Sequence, residues 1–206
     1  MVNGNIVKQL QFELTSTDIV KVDNKQIKRK HTYHYFKLNK PKGVLTTLSD
    51  TKGRKCIGDL IAKKGLPLVP VGRLDRQTTG LLFLTNDGDF AYYIAHPTNK
   101  INKIYNVTLN KKMTKMDLKR LEMGVILEDG PFQAKKVVLL QDHQLQLTIS
   151  EGRNRIIRRV CQCLGYEVIS LKRIAINNVE LGGLASGDMV ALSEKQLRIL
   201  GYRKGA

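Results

Sequence analysis

Residues 71–87 read VGRLDRQTTGLLFLTND. Asp75 sits between Arg73 and Arg76 and is followed by two threonines, a glycine and a run of apolar residues. Residues 81–85 (LLFLT) are continuously apolar, as in a strand buried on both faces. The stretch therefore poses one question. Asp75 is either a surface charge at a turn or the carboxylate that does chemistry for the whole chain.

The elements around it set the fold class. Residues 104–109 (IYNVTL) and 145–149 (LQLTI) alternate apolar with polar, as half-buried strands do. In the first of these, Tyr105, Val107 and Leu109 share a face. Thr114 can cap a helix running to Met123, with Gly124 at its end. Ser193 and Gln196 form a capping box, with Leu192 and Leu197 as a hydrophobic staple, for a helix ending near Gly201. Strands and helices do not alternate regularly and no internal repeat is present. The pattern predicts an α+β fold with a largely antiparallel or mixed sheet.

At 206 residues the chain allows one large domain, or one domain and a small appendage. Hydrophobic residues make up 42% and charged residues 26%, which excludes a disordered chain. Residues 1–27 are short alternating pieces with turns at Asn3-Gly4 and Asp23-Asn24, too few to bury a core of their own. A basic stretch follows over 28–42, containing Lys28, Arg29, Lys30, Lys37, Lys40 and Lys42. This places a join between a front piece, 1–27, and a main body, 28–206.

Lys plus Arg is 35 against 18 for Asp plus Glu, a net charge of +17. A folded chain with that excess attracts polyanions, and nucleic acid is the commonest. The cysteines (Cys56, Cys161 and Cys163) are odd in number and lack C-x-x-C spacing. They suggest neither a disulfide framework nor a zinc site. Cys161 and Cys163 read as packing residues in a reducing compartment. No apolar stretch approaches the length of a membrane span, and the N-terminus lacks the apolar centre of a signal peptide. A cytoplasmic protein is expected.

Residues 151–160 read EGRNRIIRRV. Asn154 is the expected N-cap of a helix stopping at Gly165. Ile157, Val160, Cys161 and Leu164 share one face, and Arg155, Arg158, Arg159 and Gln162 another. The second face is either solvated or contacts RNA or a carboxylate, for which the planar guanidinium is suited.

Taken together, these segments resemble a known family. GRLDRQTTGLLFLTNDG is similar to the catalytic motif of pseudouridine synthases, in the branch that modifies ribosomal RNA. LNKPKGVLTT (38–47), AHPTNKINKIYNV (95–107), EGRNRIIRRV (151–160), VISLKRIAI (168–176) and LGGLASGDMVALSEKQL (181–197) match in the same order. The resemblance implies the pseudouridine synthase fold, a mixed, largely antiparallel central sheet flanked by helices. Residues 1–27 resemble the strand-and-hairpin part of the S4-type RNA-binding domain that precedes it in this branch, without that domain's first helices.

The resemblance also implies the chemistry. Uracil is detached from ribose at nitrogen, rotated and reattached through carbon, so neither cofactor nor metal is implied. It assigns Asp75 as the catalytic carboxylate, Arg158 as its guanidinium partner and Tyr105 as the aromatic surface under the flipped base. Burial alone would neutralise a carboxylate, and an adjacent cation keeps it charged. By its place on the strand, Tyr105 can equally be a core residue. Leu171 either closes over the uracil or packs in the core. Arg73, Arg76, Lys103 and Arg155 are candidate RNA contacts, and Thr78 and Thr79 are expected to hold the Asp75 loop by hydroxyl-to-backbone bonds. Ile156 stands where the family usually has glutamine, which bears on local geometry and target choice rather than on the reaction. The implied partner is ribosomal RNA or an assembling ribosomal particle, large-subunit rather than small-subunit, met by a monomer. The competing reading is a non-catalytic RNA-binding assembly factor on the same fold.

Overall fold

The computed structural model describes residues 1–9, 11–15, 17–27 and 32–202, with only the backbone of residue 63. The basic residues Lys28, Arg29 and Lys30 lie outside the described residues. The chain divides into two compact units, Met1–Thr32 and Tyr33–Ala206. In the first unit, β1 (Val20–Val22) and β2 (Lys25–Ile27) form an antiparallel hairpin. Its turn residues, Asp23 and Asn24, both have positive φ, the conformation that a two-residue hairpin turn demands.

The second unit contains β3 (Tyr35–Lys40), α1 (Ile57–Ile61), β4 (Val69–Val71), β5 (Thr79–Thr85) and α2 (Gly88–Ala95). β6 (Lys103–Leu109), α3 (Lys115–Met123), β7 (Val125–Leu127) and β8 (Gly130–Phe132) follow. Next come β9 (Lys136–Gln141), β10 (Gln144–Ile149), α4 (Ile156–Cys163) and β11 (Val168–Ile176). β12 (Val179–Glu180), β13 (Met189–Ala191) and α5 (Glu194–Ile199) complete it. Among the described residues, nine strands form one sheet with spatial order β13-β3-β5-β11-β6-β10-β9, while β12 pairs with β11 and β4 with β5. Only β5 and β11 run parallel, so the sheet is mixed and largely antiparallel, as expected.

The apolar run in β5 has a direct cause. Leu82 and Leu84 feed one hydrophobic core, and Leu81 and Phe83 feed a second on the opposite face. The first core also takes Tyr105, Val107 and Leu109 from β6 and Leu145, Leu147 and Ile149 from β10. Each fully buried Leu or Phe contributes about 2 kcal/mol, so a charge placed in this run would be excluded.

The expected helix caps at Thr114 and Ser193 are formed. The cap of α4 differs. Arg155, not Asn154, is the N-cap residue, it has φ 48°, and no side chain caps the helix. The Asn154 carbonyl instead accepts from Arg159 Nε at 3.0 Å. Cys161 packs in the core and burial pushes its thiol up to about 12, whereas Cys163 is exposed and is not a packing residue. Among the described residues no helix is long and apolar enough to cross a membrane.

Candidate active site

The segment 72–78 joins β4 to β5 and carries Asp75. It is tied to the segment after β3. Thr46 Oγ1 donates to the Leu74 carbonyl at 2.7 Å and accepts from the Leu74 amide at 3.2 Å. The Gly43 amide donates to the Arg76 carbonyl at 2.8 Å, and Arg76 Nε donates to the Gly43 carbonyl at 3.2 Å. Below these bonds lies Lys40, fully buried at the end of β3. Its Nζ donates to the carbonyls of Val44 at 2.7 Å, Pro41 at 2.9 Å and Arg76 at 3.4 Å. Burial lowers Lys40 to about 8, against the attraction of Asp75. The expected role of the threonines does not hold. Among the described residues Thr78 Oγ1 is buried without a hydrogen-bond partner, and Thr79 Oγ1 reaches only the Leu171 carbonyl at 3.5 Å.

Strand register sets the rest of the site. Gly80 of β5 pairs with Arg173 of β11, Arg173 with Tyr105 of β6, and Tyr105 with Leu147 of β10. Gly80 has φ +100°, and a Cβ there would stand 2.2 Å from the Arg173 carbonyl oxygen. Only glycine lets β5 approach β11 so closely. The result is a short row in which the start of β5, directly after the Asp75 loop, lies beside Arg173 and then Tyr105.

This row walls a cavity of about 340 Å³, within the range of small-ligand pockets. Asp75, Tyr105, Leu171, Arg73, Lys103 and Arg155 all line it. Six side chains singled out by sequence thus meet in one place from four separate segments. Arg76 and Arg158 do not line it. Arg76 is exposed and held on Gly43. The expected Asp75–Arg158 contact is not formed: Arg158 Nη1 donates to the Val168 carbonyl at 2.8 Å, and no ion pair joins it to Asp75 among the described residues. Arg158 still feels the carboxylate. Burial, and then Arg155, lower its pKa, while Asp75 opposes both.

The pocket is cationic. Arg73, Lys103, Arg153, Arg155 and Arg173 line it against Asp75 and Glu151. Burial and then neighbouring Arg173 lower Lys103 to about 8, opposed by Glu151. Tyr105 is buried, with its hydroxyl 3.4 Å from Arg173 Nη1. Two contributors were missed from sequence. Lys40 and Arg173 each stand at an inward position of an alternating strand, Phe36–Leu38–Lys40 and Leu171–Arg173–Ala175. A cation where the period demands an apolar residue was the signal.

The arrangement is a half-buried carboxylate, an aromatic ring, an apolar side chain and a rim of cations, on a mixed sheet. Residues 34–163 match the family model of RNA pseudouridylate synthases, and the chain belongs to that family of isomerases. It is 40% identical to ribosomal large subunit pseudouridine synthase B of Bacillus subtilis (strain 168), over 97% of this chain and 84% of the relative. It is 38% identical to an uncharacterized RNA pseudouridine synthase of Aquifex aeolicus (strain VF5), over 95% of this chain and 81% of that one. A crystal structure of a pseudouridylate synthase superposes with TM-score 0.77 at 31% identity, covering 97% of this chain and 87% of the other.

Proposed function

We propose that this chain converts a uridine of ribosomal RNA, in the large subunit rather than the small, to pseudouridine, with Asp75, Tyr105 and Arg158 as its catalytic residues. The observation that carries the reading is the meeting of Asp75, Tyr105 and Leu171, from three distant segments, around one cavity. The large-subunit preference is supported by the name of the Bacillus subtilis relative. The chain acts as a monomer in the cytoplasm, where that RNA is made and assembled.

The reaction breaks the bond between ribose C1′ and uracil N1 and forms one between C1′ and C5. C5 loses a proton and N1 gains one, so atoms balance without a co-reactant. The base must leave its stack to be reached. Tyr105 and Leu171 offer it an aromatic surface and an apolar one, and stacking contributes about 1–3 kcal/mol per base. Asp75 acts at the glycosidic bond as a carboxylate. Lys40 and Arg158 both feel its charge, one from below the loop and one from the side of α4. Arg73, Lys103 and Arg155 take the phosphates beside the flipped nucleotide. The hairpin of residues 20–27 supports assigning 1–27 to the end of an S4-type RNA-binding domain, ahead of a catalytic body 28–206.

Chemical mapping of pseudouridine on ribosomal RNA, with and without the protein, tests the reading. One uridine of the large-subunit RNA should convert, with loss of tritium from its carbon 5. Asp75→Asn should lower that rate by about 10³-fold or more while binding persists. Failure to convert any ribosomal RNA, free or in assembling particles, overturns the proposal. Conversion confined to the small-subunit RNA overturns the subunit preference.

A further inference from the structure

Arg173 is the most unusual charge in the molecule. It is 3% exposed, in the middle strand of the row that walls the cavity. Its Nε donates to the Leu81 carbonyl at 2.7 Å. Among the described residues its Nη1 has only the Tyr105 hydroxyl, at 3.4 Å, long for a charged donor. Its Nη2 is buried with no hydrogen-bond partner among the described residues. No carboxylate forms an ion pair with it among the described residues.

An interior guanidinium with unfilled donors is costly, because each lost its water on folding. Arg153, at the rim of the same cavity, shows the ordinary solution: it donates to Glu151, to Asp129 and to three backbone carbonyls. Arg173 lacks that solution and also stands near a second cation, Lys103, whose charged form it disfavours. Both features are relieved by an acceptor oxygen arriving in the cavity. The ring of Tyr105 lies beside the guanidinium, with Arg173 Cζ 6.0 Å from its centroid. A base stacked on Tyr105 would bring its edge to Arg173.

We propose that Arg173 binds an exocyclic carbonyl oxygen of the flipped pyrimidine through its unfilled guanidinium donors and so sets the rotation of the base in the pocket. The inference rests on the pocket being the uridine site. Arg173 offers only donors, so it accepts a carbonyl oxygen and rejects an amino group at the same place. Its backbone is fixed by the β5–β11 and β11–β6 ladders, and its Nε by Leu81, which leaves little freedom to adapt.

The test uses the full chain and a ribosomal RNA fragment spanning the uridine found by mapping. That position carries uridine, 2-thiouridine or 4-thiouridine in turn. Sulfur is a poorer acceptor, so one thio substitution should lower kcat/KM about 10-fold in the wild type. Arg173→Met should lower kcat/KM on plain uridine about 10- to 100-fold and erase that thio effect. The thio comparison within the wild type stands even if Arg173→Met folds poorly. Turnover of uridine with no loss at either thio position overturns the role of Arg173 while the uridine-site reading survives. A thio effect that persists in a folded Arg173→Met protein overturns it as well. Absence of turnover on plain uridine instead removes the reading beneath it.

Discussion

Two regions of this protein hold cations in opposite ways. In Glu151–Arg159 the arginines are dense in sequence and are largely matched at the surface. Arg159 donates to Asp129 at 2.7 Å, and Arg153 reaches both Asp129 and Glu151. Asp129 is held below the usual carboxylate range, chiefly by its bond from Arg159. Two strand cations are single and buried: Lys40 is satisfied by three backbone carbonyls, and Arg173 only in part. The dense run therefore builds a surface ion network and, through Arg153 and Arg155, part of the cavity rim, whereas Lys40 fixes the Asp75 loop and Arg173 walls the cavity from within the sheet.

The largest expected effect comes from breaking the contact that brings the second region together. Gly80→Ala places a methyl group against the Arg173 backbone and imposes a positive φ on alanine. Denaturant unfolding should show a loss of about 3 kcal/mol or more, with activity lost in parallel. A loss under 1 kcal/mol would mean that β5 and β11 can separate cheaply, and the row would not be a rigid frame.

Lys40 sharpens the comparison through pH. Its folded pKa of about 8 lies below the ordinary 10.5. Between those values the unfolded chain binds more protons than the folded one, so unfolding free energy rises with pH across that window. Below about pH 8 the full cost of burying the charge is present; it is relieved as pH climbs toward 10.5. Relative to Lys40→Met, the wild type should gain up to about 3 kcal/mol over that range. Lys103 titrates in the same direction and is common to both proteins, so the difference isolates Lys40. At pH 7 the variant should also lose about 10- to 100-fold in kcat/KM, because Val44 and Arg76 lose the donor that fixes the Asp75 loop. A parallel pH dependence in the two proteins would contradict the burial of Lys40.

Much of this was legible in the sequence. The continuous LLFL run declared a strand with two buried faces, and IYNVTL and LQLTI declared strands with one. The Thr114 and Ser193 caps could be read because their side-chain chemistry is local. The gathering of Asp75, Tyr105 and Leu171 was reachable only through motif resemblance, since no local rule pairs β6 with β11. What escaped was long-range hydrogen bonding. Thr46, Lys40 and Gly43 hold the Asp75 loop across some thirty residues, and Thr78, adjacent in sequence, does not. Arg158 was expected on Asp75 by resemblance, yet in this structure the Val168 carbonyl takes its Nη1. Asn154 lost its cap role because Arg155 adopts the left-handed conformation and turns the chain one residue later.

The smallest effect is expected at the surface network. Arg159→Ala removes an ion pair whose partners are both about a third exposed or more, so water and salt already screen it. It should leave the denaturant midpoint almost unchanged and tritium release within about threefold of wild type. Arg153→Ala should cost more, about 1–2 kcal/mol, because it also strips donors from the carbonyls of Asp129, Gly130 and Pro131. Raising salt from 0.1 to 1 M should shrink the Arg159 penalty and leave the Lys40 difference almost unchanged, since buried charges are poorly screened. If instead Arg159→Ala abolished turnover in a folded protein, Arg159 would belong to the reacting site along with its cluster neighbours Arg155 and Arg158, and the division between surface and buried cations would fail.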